Sequence, residues 1–197
     1  MTSSYRRIGV FGGTFDPIHN AHIGIARAAM KSASLEVVLF VVSASPPHKQ
    51  NGVLATPEQR YRMVEAALEG EDGLEPCDIE MLREGPSYTA TTLGKLKSLY
   101  PQSELLLIVG LDSLIDIPTW RDPQAIFDLA HILAVSRPDE ERAVSSVLDG
   151  KYDLVPFRET VASSTEVRRR LRDGESINEL IPSRVVSMIK EIGLYAS

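Results

Sequence analysis

Between Ile8 and Met30 the chain passes from a short apolar run, through two adjacent glycines and a polar elbow, into a segment with the apolar content of a helix. Ile8-Gly9-Val10-Phe11 reads as a buried strand. Gly12 and Gly13 follow, then Thr14 to His22, and Ile23 to Met30 continues as helix. A passage of this kind is a place to hold phosphate. Glycines let a ligand approach the backbone, and the N–H groups at a helix start favour anions. His19 and His22 stand three residues apart in the first turn, so they share a face and can aim two ring nitrogens at one phosphate chain. The turn is not the dinucleotide fingerprint G-x-G-x-x-G, because its glycines are adjacent, and it lacks the lysine and hydroxyl of a P-loop. On the glycines alone, a plain strand-to-helix connection explains it equally well.

Strand and helix signals alternate along the rest of the chain. Strand-like runs are expected at Ile8–Phe11, Val37–Val42, Leu74–Met81, Leu105–Val109, His131–Val135 and Leu154–Pro156. Helices are expected at Ala21–Lys31, from Pro57 to about Glu69, and at Thr89–Leu99, Ala125–Leu129, Ser164–Arg172 and Ser183–Glu191. Thr56-Pro57-Glu58-Gln59 predicts a helix start with Thr56 as N-cap, proline at the first position and Gln59 closing a capping box. Alternating elements imply an α/β fold with a doubly wound parallel sheet and helices on both faces. In such sheets the ligand sits at the carboxyl ends of the strands. No internal repeat or linker is evident, so residues 1–197 are expected to form a single domain.

The net charge of −6 argues against a nucleic-acid surface, which needs a basic field, yet leaves room for a small anionic substrate in a local basic pocket. One cysteine, Cys77, permits no internal disulfide and reads as a packed, inert thiol. No apolar run has the length of a membrane span, and Met1–Arg7 lacks the core of a signal peptide. A cytoplasmic protein without membrane contact is the expectation; the sequence leaves open whether it forms a homo-oligomer.

Further candidates cluster after the strands. Ser163-Ser164-Thr165-Glu166-Val167-Arg168 offers a hydroxyl N-cap with free N–H donors, and a guanidinium one turn later. An ordinary cap followed by a solvated basic face at Arg169, Arg170 and Arg172 is the competing explanation. Gly110-Leu111-Asp112 ends a strand where Asp112 can accept ribose hydroxyls or cap a helix. Trp120 is either a core residue or a platform for a flat ring. Pro46-Pro47-His48-Lys49 lies in a long break, with Lys49 a phosphate partner or an exposed loop residue. Tyr88 and Thr89 open a helix whose amides can receive a carboxylate, and Arg137 ends a strand within reach of a nucleotide. No lysine or arginine lies within Ser87–Thr89; Arg121 follows Trp120.

The stretch Gly12-Gly13-Thr14-Phe15-Asp16-Pro17-Ile18-His19-Asn20-Ala21-His22 resembles the signature G-G-T-F-D-P-x-H-x-G-H of the nucleotidylyltransferases that build NAD and coenzyme A, with Ala21 in place of the usual glycine. S-S-T-x-x-R at Ser163–Arg168 resembles the second signature of the same family. P-P-H-K, G-x-S-Y-T, an aliphatic strand with G-x-D, P-T-W and S-R-P occur in order between them. The whole is similar to bacterial nicotinate-mononucleotide adenylyltransferases over about residues 8 to 195, with Val161-Ala162 where an isoleucine often precedes the serines. The resemblance implies a Rossmann-like fold, with the helices from about residue 164 completing the ATP site. It implies transfer of AMP from ATP to nicotinate mononucleotide, in NAD biosynthesis. It assigns catalysis to His19, His22 and Arg168. ATP would be held by Gly12, Gly13, Thr14, Phe15, Gly110, Asp112, Arg137, Ser164 and Thr165. Nicotinate mononucleotide would be held by Asp16, Lys49, Tyr88, Thr89 and Trp120. Mg²⁺ would travel mainly on the ATP phosphates, with no protein metal site. Rival readings are a relative acting on nicotinamide mononucleotide or pantetheine phosphate, a nucleotide sensor without turnover, and a zinc site at His19 and His22.

Overall fold

The computed structural model describes residues 5–45, 53–82, 85–136, 148–158 and 162–195. Its elements run β1 (Arg7–Gly13), α1 (Asn20–Ala33), β2 (Val37–Val42), α2 (Pro57–Leu68), β3 (Leu74–Cys77), α3 (Thr89–Leu99) and β4 (Glu104–Gly110). They continue with α4 (Leu111–Asp116), a 3₁₀ turn (Ile117–Thr119), α5 (Pro123–Leu129), β5 (Ala130–Ser136), β6 (Tyr152–Pro156), α6 (Ser164–Arg172) and α7 (Ser183–Ile192). The strands form one sheet in the order β3-β2-β1-β4-β5-β6, with every neighbouring pair parallel. That is the doubly wound arrangement the alternation predicts, and it is Rossmann-like, as the resemblance implies. Among the described residues no helix is long and apolar enough to cross a membrane.

Side-chain alternation divides the core into two layers. Val38, Phe40, Val42, Leu106 and Ile108 face α1, α2, α6 and α7. Val37, Leu39, Val41, Leu105 and Leu107 face α3, α4 and α5. Both faces are dry, which is why these strands read as unbroken aliphatic runs. Gly9 allows a close approach between strands and the helix layer. A Cβ there would lie 2.8 Å from Leu35 and 3.0 Å from both Val38 and Ile108.

Most expected elements appear within a residue or two. The Thr56 cap forms as expected: its hydroxyl accepts from the Gln59 amide, and the Gln59 side chain accepts from the Thr56 amide. The strand expected at Leu74–Met81 stops at Cys77. There the chain folds back, and the Met81 and Leu82 amides donate to the Asp78 carbonyl instead of to a sheet neighbour. A helix at Leu111–Asp116 was not expected; its N-cap is Gly110 rather than Asp112. The short helix expected at Ala125 starts two residues earlier, capped by the Asp122 carboxylate. Cys77 is half-buried, and burial raises its thiol pKa, so it stays protonated.

Strand order reverses between β1 and β4. Crossovers leave that pair toward opposite faces and open a crevice above their carboxyl ends.

Candidate active site

The elbow after β1 is built by its two glycines in different ways. A Cβ on Gly13 would lie 2.6 Å from the Phe15 ring, which folds back beneath it. A Cβ on Gly12 would meet no protein atom within 4 Å and would stand in the open crevice. Gly13 is therefore needed by the protein's own packing, and Gly12 keeps space for a ligand. Phe15 sits at φ 51, and the Asp16–Pro17 bond is cis.

Two cavities meet at this elbow. One, of about 450 Å³, is lined by Ser87, Tyr88, Thr89, Trp120, Arg121 and Glu80 among others. The second, of about 560 Å³, is lined by Phe15, His22, Gly110, Ser164, Thr165 and Arg168 among others. Gly12, Gly13, Thr14, Ile108, Val109 and Trp120 line both. Each has the size of a small-molecule pocket, and together they straddle the switch point of the sheet.

His19 and His22 stack with ring centroids 3.6 Å apart. The His19 amide donates to His22 Nδ1 at 3.2 Å. A neutral His22 must then carry its proton on Nε2, ready to donate. The His22 ring also packs edge-on against Phe15 at 5.0 Å, so its orientation is set by packing as well. His19 is buried, and its Nδ1 has no hydrogen-bond partner among the described residues. Burial pushes its pKa down to about 4, so it is neutral at physiological pH.

That shift has a sign for stability. The unfolded chain protonates His19 near pH 6.5, whereas the folded chain resists until about pH 4. The contribution of a neutral, buried His19 is complete above pH 6.5 and is lost as pH falls toward 4, by roughly 3 kcal/mol. Denaturant unfolding at pH 7 and pH 4 should therefore show a smaller loss for His19→Gln than for the parent chain. Equal losses would mean that His19 is not the group resisting protonation.

The two distant signatures close on each other. Ser164 Oγ donates to the Pro17 carbonyl at 2.9 Å, and Arg168 Nη1 donates to the Asp16 carbonyl at 2.6 Å. Arg168 also reaches Thr165 Oγ1 at 3.4 Å. Ser163 caps α6 by accepting from the Glu166 amide. The start of α6, with its free amides, thus lies over the elbow. Arg169 and Arg170 lie on the partly exposed side of α6. They are half-buried in an ion-pair network with Glu166, Glu175 and, for Arg170, Glu179. Arg172 is exposed.

Asp16 lines the second cavity. Its carboxylate is buried and accepts from the Leu54 and Ala55 amides at 2.8 and 3.1 Å, and from the Tyr195 hydroxyl at 2.6 Å. Asp112 is exposed on the first turn of α4 and lines neither cavity; Ser113 beside it lines the second. Ala21 is buried in the core and lines neither, so its methyl group does not enter the crevice. Lys49 and Arg137 lie outside the described residues.

Three residues near the site gave no signal in the sequence. Arg60 is 1% exposed and donates to carbonyls on three segments: Thr14 at 2.7 Å, Ala55 at 3.2 Å and Ala44 at 3.4 Å. Arg121 holds its guanidinium carbon 4.7 Å from the Tyr88 ring centroid, so a cation does stand at the rim of the first cavity. Glu80 is buried in the same cavity's wall. In sequence, Arg60 looks like any exposed helix cation, and Glu80 sits in what reads as a strand.

Fold and site together define a doubly wound α/β protein with two small-molecule cavities meeting at the switch point of its sheet. A cytidylyltransferase-like family model matches residues 10–170. The probable nicotinate-nucleotide adenylyltransferase of Thermus thermophilus is 40% identical over 191 residues, covering 96% of this chain and 99% of that protein. That of Saccharopolyspora erythraea is 38% identical, with 98% and 91% covered. The chain belongs to the cytidylyltransferase-like family and, within it, to the nicotinate-nucleotide adenylyltransferases, which are nucleotidyltransferase enzymes. In fold it matches the Plasmodium falciparum nicotinic acid mononucleotide adenylyltransferase complexed with NaAD. The TM-score is 0.80 at 22% identity, and the match covers 96% of this chain and 97% of that one.

Proposed function

We propose that the chain transfers AMP from ATP to nicotinate mononucleotide, releasing pyrophosphate and forming nicotinate adenine dinucleotide. The observation that carries this reading is the pair of cavities meeting over Gly12-Gly13-Thr14. The second cavity, with His22 and the start of α6, suits a triphosphate. The first, with the Tyr88–Thr89 amides and Trp120, suits a flat ring bearing a carboxylate. Their junction is where the two phosphates must meet.

A phosphate oxygen of the mononucleotide attacks the α-phosphorus of ATP, and the bond to the β-phosphate oxygen breaks. The attacking phosphate is already an anion, so no general base is needed. Rate enhancement comes from positioning and from charge stabilisation. The Gly12–Thr14 backbone orients the phosphates. His22 donates from Nε2 to charge developing at the α-phosphate, and His19 supports it. Ser164, Thr165 and Arg168 hold the departing pyrophosphate.

Among the described residues no group of three or more His, Cys, Asp or Glu is placed to hold a metal. The carboxylate of Asp16 is taken up by protein donors. The remaining imidazole, hydroxyl and amide groups suit phosphate oxygens that bring their own Mg²⁺. When bound, that ion would neutralise phosphate charge.

The test is pyrophosphate release from ATP with nicotinate mononucleotide, nicotinamide mononucleotide and pantetheine phosphate in turn. Amide donors at the start of α3 match both carboxylate oxygens but oppose the NH₂ of the carboxamide, and each donor left unpaired costs about 1–3 kcal/mol. The expected preference in kcat/KM for the acid is on the order of 10²-fold. Parity or preference for the amide would defeat the nicotinate assignment. Nucleotide binding without turnover would point to a sensor.

A further inference from the structure

Glu80 takes no part in the adenylyl transfer, yet among the described residues it is the buried charged side chain that lines the ring pocket. It is 6% exposed, lies in the turn after β3 and lines the first cavity. Its Oε1 accepts from the Thr92 hydroxyl at 2.6 Å. The same hydroxyl lies 3.3 Å from the Tyr88 carbonyl, but it has one proton, and the shorter contact takes it. Oε2 is buried and has no hydrogen-bond partner among the described residues.

Leaving a buried carboxylate oxygen without a donor is costly. Among the described residues, Arg60 and Arg121 are the cations nearby, and neither removes that cost. Arg60 feels the charge of Glu80, but it directs hydrogen bonds to three carbonyls elsewhere. Arg121 is exposed at the rim, over Tyr88. Val10, Val41, Leu93 and Leu107 supply apolar walls, so an uncompensated charge is felt strongly inside this cavity.

Oε2 is closed to solvent, so it offers a ligand its field rather than a hydrogen bond. The complementary ligand is a flat ring with a permanent positive charge. In a pyridine mononucleotide the ring nitrogen is quaternary and carries that charge. We propose that Glu80 is the counter-charge for the pyridinium ring of the mononucleotide, making the first cavity selective for a cationic ring over a neutral one of the same shape. The proposal rests on the nicotinate mononucleotide reading. On that reading both charges of the head group meet their opposites: the ring nitrogen meets Glu80, and the carboxylate meets the amides of α3 with Arg121 at the rim.

The test compares two ligands by calorimetry. One is nicotinate mononucleotide. The other is its isostere with carbon in place of the ring nitrogen, a 3-carboxyphenyl C-riboside 5′-phosphate, which keeps the carboxylate, ribose and phosphate. The parent protein should bind the pyridinium ligand about ten- to a hundredfold more tightly. Glu80→Gln keeps the size and an oxygen for Thr92 but removes the charge. It should abolish the preference while leaving the KM for ATP unchanged, and Glu80→Asp should retain the preference. Two results would overturn the proposal: equal affinity of the parent protein for both ligands, which needs no variant, or an equal loss of both in Glu80→Gln, the mark of a structural role. Failure of the parent protein to bind either ligand would defeat the substrate reading itself, and the proposal with it.

Discussion

Replacing His22 with alanine lowers kcat by roughly 10²–10⁴-fold, about 3–5 kcal/mol of transition-state stabilisation. The reason lies in how the ring is held. His22 Nδ1 accepts from the His19 amide, and the ring packs on Phe15 and against His19. One proton position and one orientation follow, so no reorganisation is needed when charge develops at the α-phosphate. Steady-state kinetics should show kcat falling far more than KM for ATP rises, because the Arg168 end of the cavity is untouched. His22 is half-buried and lines a cavity, so the fold should persist, which circular dichroism checks. Near-normal turnover, or an unfolded variant, would return His22 to a purely structural role.

Replacing Arg60 with methionine costs about 3–5 kcal/mol of stability, the scale for removing one partner from a buried charged network. The side chain is fully enclosed, and its guanidinium serves carbonyls from the elbow after β1, the segment after β2 and the residue before the Thr56 cap. Methionine fills much of the volume but leaves those carbonyls without a donor. Asp16, whose charge acts on Arg60, loses a compensating cation in the same step. Arg60→Lys restores the charge but cannot reach three carbonyls in a plane, so it should recover only part of the loss. Denaturant unfolding measures both. A change below about 1 kcal/mol would show that water or relaxation satisfies those carbonyls instead. Because Thr14 lines both cavities, the methionine variant should also raise KM for both substrates.

The parts of the site that were legible in the sequence are those whose physics is local. Gly12 and Gly13 announce a turn that approaches something closely. Thr56 to Gln59 announces a helix start through bonds between residues three apart. The serines before Arg168 announce a cap, although only the fold brings Ser164 and Arg168 onto the carbonyls of Pro17 and Asp16. Asp16 shows the limit from the other side. It stands inside the strongest motif and lines the second cavity, while its carboxylate accepts from the Leu54 and Ala55 amides and the Tyr195 hydroxyl. No pattern near residue 16 announces a tyrosine 179 positions later.

Local sequence sets the alternation of strands and helices, the two-sided burial of the sheet, the caps and the glycine elbow after β1. Each of these is set by periodicity or by hydrogen bonds spanning a few residues. Tertiary structure alone decided which charges are buried and what they face. Arg60 becomes a bolt only because α2 lays it beneath the elbow. Glu80 lines the cavity, with one carboxylate oxygen lacking a partner among the described residues, only because β3 ends early and turns it into the wall. Arg121 becomes a rim cation only because the turn after α4 brings it over Tyr88. Burial, and therefore the strength of a charge, depends on what the rest of the chain packs around it, and that is not a property of neighbours in sequence.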